Sequence, residues 1–303
     1  MAAPATHQDG PLAPVPHQVI ATWPVGAFAE NIAVLADGRF ALSIHNRRKL
    51  LRVDREGRWE EWTELRVSPA GLIAFEDGVL AVAGELGEAP HGVFQVRGSG
   101  HVERKLAIAG TLFLNGFTPA AKGRAYTVDS LLGQIIEIDV ERWSSRVVLA
   151  DERLGKVSDQ PMLPGANGIK AGDGCLYITN TDQAQVLRAD LSEAGAITGL
   201  TVIADGLRGD DLALDAAGRL YVTNHILNTL TRVDPDGSNR VVIAGPAQGM
   251  AGSTACTFHP DDPQALYVTT TGGLIMPFEG VPQEAKLVRL EVGANGRPLP
   301  KLD

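Results

Sequence analysis

Six times along the chain a small polar or acidic residue opens an apolar stretch that is followed by a turn and a strand of Tyr-Val-Thr character. These opening residues are Glu30, Ala70, Asn115, Asn167, Asp210 and Thr254, spaced 40, 45, 52, 43 and 44 residues apart. A strand-built repeat of about 40–50 residues marks a propeller blade. The second strand is the clearest part of each copy: RFALSIH from Arg39, VLAVAGE from Val79, RAYTVDS from Arg124, CLYITNT from Cys175, RLYVTNH from Arg219 and ALYVTTT from Ala265. Each is rich in β-branched and aromatic residues, and turns such as Asp37-Gly38, Asp77-Gly78 and Asp173-Gly174 precede several of them.

A third strand follows in every copy, for example KLLRVD from Lys49 and TLTRVD from Thr229. A fourth follows in five, as in WEEWTE from Trp59 and RVVIAG from Arg240. The sixth copy lacks it, and HQVIATWP from His17 has the strand character to replace it. The expected fold is therefore all-β: a six-bladed β-propeller of four-stranded antiparallel blades, closed by an N-terminal strand. Closure leaves few sheet edges open. Six in-phase copies do not suit a β-sandwich, and a TIM barrel needs eight amphipathic helices of which the sequence carries no sign. Residues 1–14 read as a disordered lead-in and 15–303 as one domain.

The 303 residues are 44% hydrophobic and 21% charged, enough apolar material for a core. A net charge of −9 disfavours nucleic acid and anionic membranes as partners, since both reward clustered Lys and Arg. No apolar run reaches the roughly 18–20 residues of a membrane helix. The start, MAAPATHQDGPLAPVP, has neither basic residues nor an apolar core, so a cytoplasmic location is expected. The two cysteines, Cys175 and Cys256, sit in different strands without a Cys-x-x-Cys spacing, and read as buried reduced thiols.

In a propeller the first strand of each blade lines the central channel. The start of strand one, the end of strand two and the start of strand three share one end of that channel, the top. The six opening residues thus form a ring at its mouth. Glu30, Asn115, Asn167 and Asp210 offer oxygen to a hard cation, with two of the four groups anionic. Such a set suits Ca²⁺, with Mg²⁺, Mn²⁺ or Zn²⁺ as other divalent candidates. Taken singly, Asn115-Gly116 and Asn167-Gly168 are also ordinary turn dipeptides. Asp211 competes with Asp210, although a period of two turns it to the other side of the strand.

These residues resemble the SMP-30/gluconolactonase/luciferin-regenerating enzyme family of calcium-dependent six-bladed propeller hydrolases. The likeness spans about Val15 to Val292 and rests on Glu30, Asn115-Gly116, Asn167-Gly168 and Asp210. The same four-residue pattern is similar to that of diisopropyl fluorophosphatase. The strand AYTVDS is similar to one that precedes a ring-lining Asp-Ser pair in the family, which points to Asp129. Asn31 and Asp211 stand where the family usually has glycine. The resemblance implies hydrolysis of a lactone or related ester, with Asp210 as general base or nucleophile.

Top connections supply the expected pocket walls. The apolar segment 272–285, with Leu274, Met276 and Phe278, reads as a lid or wall, and 151–166 as a second cover. His45 and His225 follow second strands at the rim, and Phe113 and Met250 lie in neighbouring loops. This lining predicts a small-molecule substrate with substantial apolar surface. The chain itself is expected to be a monomer or weak homo-oligomer. Two other readings remain: a biosynthetic propeller resembling strictosidine synthase, and a non-catalytic ligand-binding propeller with structural calcium. Fold alone does not choose among them.

Overall fold

The computed structural model describes residues 15–120 and 123–302. The expected lead-in, residues 1–14, lies outside the described residues. Six four-stranded antiparallel sheets surround one channel. Blade one is Ala29–Val34, Phe40–Ile44, Lys49–Val53 and Trp59–Glu64, and blades two to five repeat this in-to-out order. Blade six joins Ser253–His259, Asp262–Thr270 and Ala285–Glu291 to the N-terminal strand His17–Trp23. His17 pairs with Leu290 and Trp23 with Ala285, so the ring closes as the sequence predicts. Helical structure among the described residues is limited to four 3₁₀ turns.

Apolar side chains pack in the seams between neighbouring blades. One seam joins Phe40, Leu42 and Val53 of blade one to Tyr267 and Leu287 of blade six. Another joins Leu80, Val82 and Val93 of blade two to Phe117, Ile136 and Ile138 of blade three. Both cysteines are buried and unpaired. No helix among the described residues is long and apolar enough to cross a membrane.

The innermost strands share one irregularity. In blades two, three, four and six, two residues oppose one partner, at Ala70-Gly71, Asn115-Gly116, Asn167-Gly168 and Thr254-Ala255. In blade one Glu30 is the extra residue, between the pairs Ala29–Ile44 and Asn31–Ser43. In blade five Asp210 N donates to Thr223 O and Thr223 N to Asp211 O, so both aspartates oppose Thr223. A bulge of this kind re-aims side chains and breaks the simple alternation of a strand. The Asn-Gly pairs lie inside strands, as the ring of opening residues requires, rather than in the turns they would form taken singly, and Asp210 and Asp211 meet different side chains.

The glycine that follows each asparagine has a steric task. A Cβ on Gly168 would lie 2.5 Å from Asp211 Cα and 2.6 Å from Asp211 Oδ1. One on Gly116 would overlap Asn167 O. Neighbouring inner strands meet backbone to backbone there, and second-strand hydroxyls bridge them. Ser43 Oγ donates to Ala70 O at 3.0 Å, Thr179 Oγ1 to Asp210 O at 2.5 Å and Thr223 Oγ1 to Thr254 O at 2.6 Å. Thr254 Oγ1 completes the passage from blade six to blade one by donating to Ala29 O at 2.6 Å.

Gly116→Ala is expected to destabilise the fold by about 1–3 kcal/mol, the usual range for overpacking. Urea unfolding measures it; an unchanged midpoint would show that the two strands separate freely.

Candidate active site

The bulges carry the four predicted residues to the top of the channel. Asn115, Asn167 and Asp210 are buried, and Glu30 is half-buried. Asn167 and Asp210 touch: Asn167 Nδ2 donates to Asp210 Oδ1 at 2.8 Å and to Thr181 Oγ1 at 3.0 Å. Asp210 Oδ2 lies 3.4 Å from His225 Nδ1. The other ring nitrogen, Nε2, is 2.9 Å from Thr271 Oγ1. Burial pushes the His225 pKa down to about 4, with Glu30 opposing the shift. The imidazole is therefore neutral near pH 7, and its approach to Asp210 is not an ion pair.

Burial pushes Glu30 up to about 8, helped by the charges of Asp210 and Asp211 and opposed by His225. Burial and Asp211 push Asp210 well above the usual carboxylate range, and the Asn167 amide opposes this. Negative charge at the mouth thus lacks compensation within the protein.

The oxygens open to a cation are those of Glu30, Asn115, Asn167 and Asp210. Neither Glu30 nor Asn115 makes a side-chain hydrogen bond to a described residue, although Asn115 is 4% exposed, and Asn167 Oδ1 receives no donor. None of these oxygens is among the fully buried atoms without a partner, so they open to the mouth. Acceptor oxygens left without donors beside uncompensated carboxylates are what a hard cation requires. The donor chemistry therefore fits a divalent ion. No group of three His, Cys, Asp or Glu side chains with metal-binding geometry occurs among the described residues, so such a site depends on the two asparagine amides.

Aromatic rings form a collar above these oxygens. Phe28 lies 5.4 Å from His225 and 6.0 Å from His45, and His45 lies 6.3 Å from Phe113. His45 Nδ1 is 3.0 Å from Pro69 O, which fixes its ring. The blade-six segment is anchored beside the collar: Leu274 N donates to Thr271 Oγ1, and Asn228 Nδ2 to Met276 O. Leu274 is half-buried, whereas Met276 and Phe278 are exposed. The segment 151–165 is held by Asp182, which accepts from Val157 N at 2.6 Å and Ser158 N at 2.9 Å.

Two predicted contacts lie elsewhere. Met250 is fully buried in the core of blades five and six with Leu266, Val268 and Val288. Its loop sits at the top, but its side chain follows the apolar seam. The Asp129 carboxylate accepts from Leu112 N, Leu131 N and Leu132 N, which makes it the organiser of a turn. Conversely, Thr181 and Thr271 orient Asn167 and His225 without having been singled out. Each directly follows a second strand, in ITNT and VTTT, and that position was the available signal.

The model of the SMP-30/Gluconolactonase/LRE-like region matches residues 145–272, which include Asn167, Asp210 and His225. The matched region is less than half of the chain. Of the residues that carry the expected likeness, Asn167-Gly168 and Asp210 lie within the matched region, and Glu30 and Asn115-Gly116 lie before it. No curated protein sequence matches. Among solved structures, a calcium-binding protein, regucalcin, from Agrobacterium tumefaciens is 19% identical, with a TM-score of 0.76 over 96% of this chain and 98% of its own. A luciferin-regenerating enzyme is 12% identical, with a TM-score of 0.72 over 94% and 98%. XC5397 from Xanthomonas campestris, a gluconolactonase, is 16% identical, with a TM-score of 0.69 over 95% and 91%. At these identities the structures establish a shared fold.

The raised Glu30 pKa makes a signed prediction for chelated protein. The folded state holds the Glu30 proton more tightly than the unfolded chain, so this residue costs stability progressively from about pH 4.5 to about 8. Glu30→Gln is expected to melt above wild type at pH 8.5 in chelator, with the difference vanishing by pH 4.5. Equal melting temperatures at both pH values would show that Glu30 bears no such penalty.

Proposed function

We propose that the protein is a calcium-dependent hydrolase of a lactone or related ester with a substantial apolar part. The observation that carries this reading is the cluster of donor-free oxygens at Glu30, Asn115 and Asn167, set beside the Asp210–His225 contact beneath an aromatic collar. Glu30, Asn167 and Asp210 would hold the ion, and Asn115 would complete its ligands or orient substrate. When bound, the ion supplies Lewis-acid polarisation of the ester carbonyl and stabilisation of the oxyanion.

The remaining work falls to side chains of the mouth. Asp210 takes a proton from the attacking water, or attacks the carbonyl itself. Neutral His225 stands beside one Asp210 oxygen, and its Nε2 is within hydrogen-bond distance of Thr271. Asn167 fixes the other oxygen. Phe28, His45 and Phe113 exclude water from one side of the reacting carbonyl and offer a surface to an apolar group.

The distribution of apolar and charged residues supports the apolar substrate. Nine of the fourteen exposed large hydrophobic residues lie on top connections, among them Leu86, Val157, Met162, Leu227, Met276 and Val281. Six top connections, such as 109–113, 130–133 and 245–252, contain no Asp, Glu, Lys or Arg, whereas every bottom connection contains at least one. An apolar rim concentrated on the face that carries the mouth is a mark of a binding surface.

Asp210→Asn should lower lactone turnover by about a thousandfold or more, a loss typical of removing a principal catalytic group. It should leave Ca²⁺ bound in metal analysis. Chelation of wild type should abolish turnover and calcium restore it. Chelator-resistant turnover would favour the strictosidine-synthase-like reading. Bound calcium without activity on aliphatic, aromatic or sugar lactones would favour a ligand-binding propeller. Equal turnover of bulky aromatic and simple sugar lactones would remove the apolar-substrate assignment.

A further inference from the structure

Below the mouth lies a second group of charges that the proposed reaction does not use. Lys170, three residues after Asn167 on the blade-four inner strand, is 6% exposed. Its Nζ donates to both oxygens of Asp211, at 2.8 Å each. Asn31 Nδ2 reaches Asp211 Oδ2 at 3.5 Å from blade one, while Asn31 Oδ1 accepts from Leu72 N of blade two at 3.2 Å. Asp211 and Asn31 both follow bulge residues, at positions filled by glycine in blades two, three and four. The two unusual side chains thus meet each other around one buried ammonium.

A buried lysine held by one carboxylate is costly unless its charge has a task. Here three carboxylates, Glu30, Asp210 and Asp211, share one region of the channel with this single ammonium. Asp211 acts electrostatically on both of the others. With Lys170 present, Glu30 and Asp210 supply two negative charges once an incoming ion displaces their protons. Without it there would be three.

We propose that Lys170 is a built-in counter-ion that, through Asp211, sets the charge of the mouth to match one divalent cation and disfavours a trivalent one. The inference rests on the metal-site reading above. Lys170 and Asn31 hold Asp211 below the mouth, where it acts as a charge beneath the ion rather than a ligand to it. Lys170 and Asp211 are positioning residues, because neither touches the reacting atoms.

Isothermal titration of the full chain with Ca²⁺ and with Tb³⁺ tests this. Lys170→Gln keeps an N–H for Asp211 and removes only the charge. It should tighten Ca²⁺ binding by about tenfold or more and Tb³⁺ by a larger factor, since the Coulomb term scales with ion charge. Asp211→Asn should weaken both ions, Tb³⁺ more. The double variant Lys170→Gln/Asp211→Asn should return both affinities to within about threefold of wild type. A merely structural pair would not shift the Tb³⁺-to-Ca²⁺ ratio, and an unchanged ratio in both single variants overturns the proposal while leaving the metal site intact. If Lys170→Gln does not fold, an Asp211→Asn protein with wild-type affinities overturns it equally. Wild type that binds neither ion removes the metal-site reading and this inference together.

Discussion

The close approach of neighbouring inner strands at the top of the channel is the constraint on which the rest of this propeller depends. Each strand reaches its neighbour through a bulge, and the residue after the bulge is small where backbones meet. Gly116 lies against Asn167 O, and Gly168 against Asp211. Hydroxyls of Ser43, Thr179, Thr223 and Thr254 span these junctions and fix the depth at which each bulge residue sits. The opening residues consequently stand on paired, buried backbone rather than on loops. Functional groups so mounted are held more tightly than groups on flexible connections.

This architecture separates two electrostatic tiers. At the mouth, the acceptors of Glu30, Asn115 and Asn167 lack donors, and burial raises the cost of charge on Glu30 and Asp210. Just below, Asp211 is neutralised by Lys170 and steadied by Asn31. Lowering the local dielectric strengthens both effects, since paired charges attract and unpaired ones repel more strongly there. The aromatic collar and the six charge-free top connections continue this apolar surrounding outward, while every bottom connection carries charge.

The repeat made the fold readable. Its spacing, its Tyr-Val-Thr strands and the orphan strand at His17 led to six blades and their closure. The ring residues were readable for the same reason, because a fixed phase in each blade maps to a fixed height on the channel. Side-chain direction was less accessible. A period of two turned Asp211 to the other side of its strand from Asp210, but it could not foresee the bulge that pairs both with Thr223 or the partners each carboxylate meets. Met250 lies in a loop near the mouth, yet the core offers its side chain an apolar seam. Asp129 follows the strand pattern of a ring residue, but three nearby backbone N–H groups claim its carboxylate.

By itself the sequence determined the blade count, the ring of opening residues and the apolar character of the long blade-six top connection. Each is a matter of periodicity or composition, which survives without knowledge of contacts. Only the tertiary structure decided which donors and acceptors meet. Asp210 meets Asn167 and His225, whereas Asp211 meets Lys170 and Asn31, residues 41 and 180 positions away. The physical reason is closure of the ring. It brings the inner strands of blades one, four and five around one narrow channel, where hydrogen bonding and charge, not distance along the chain, select partners.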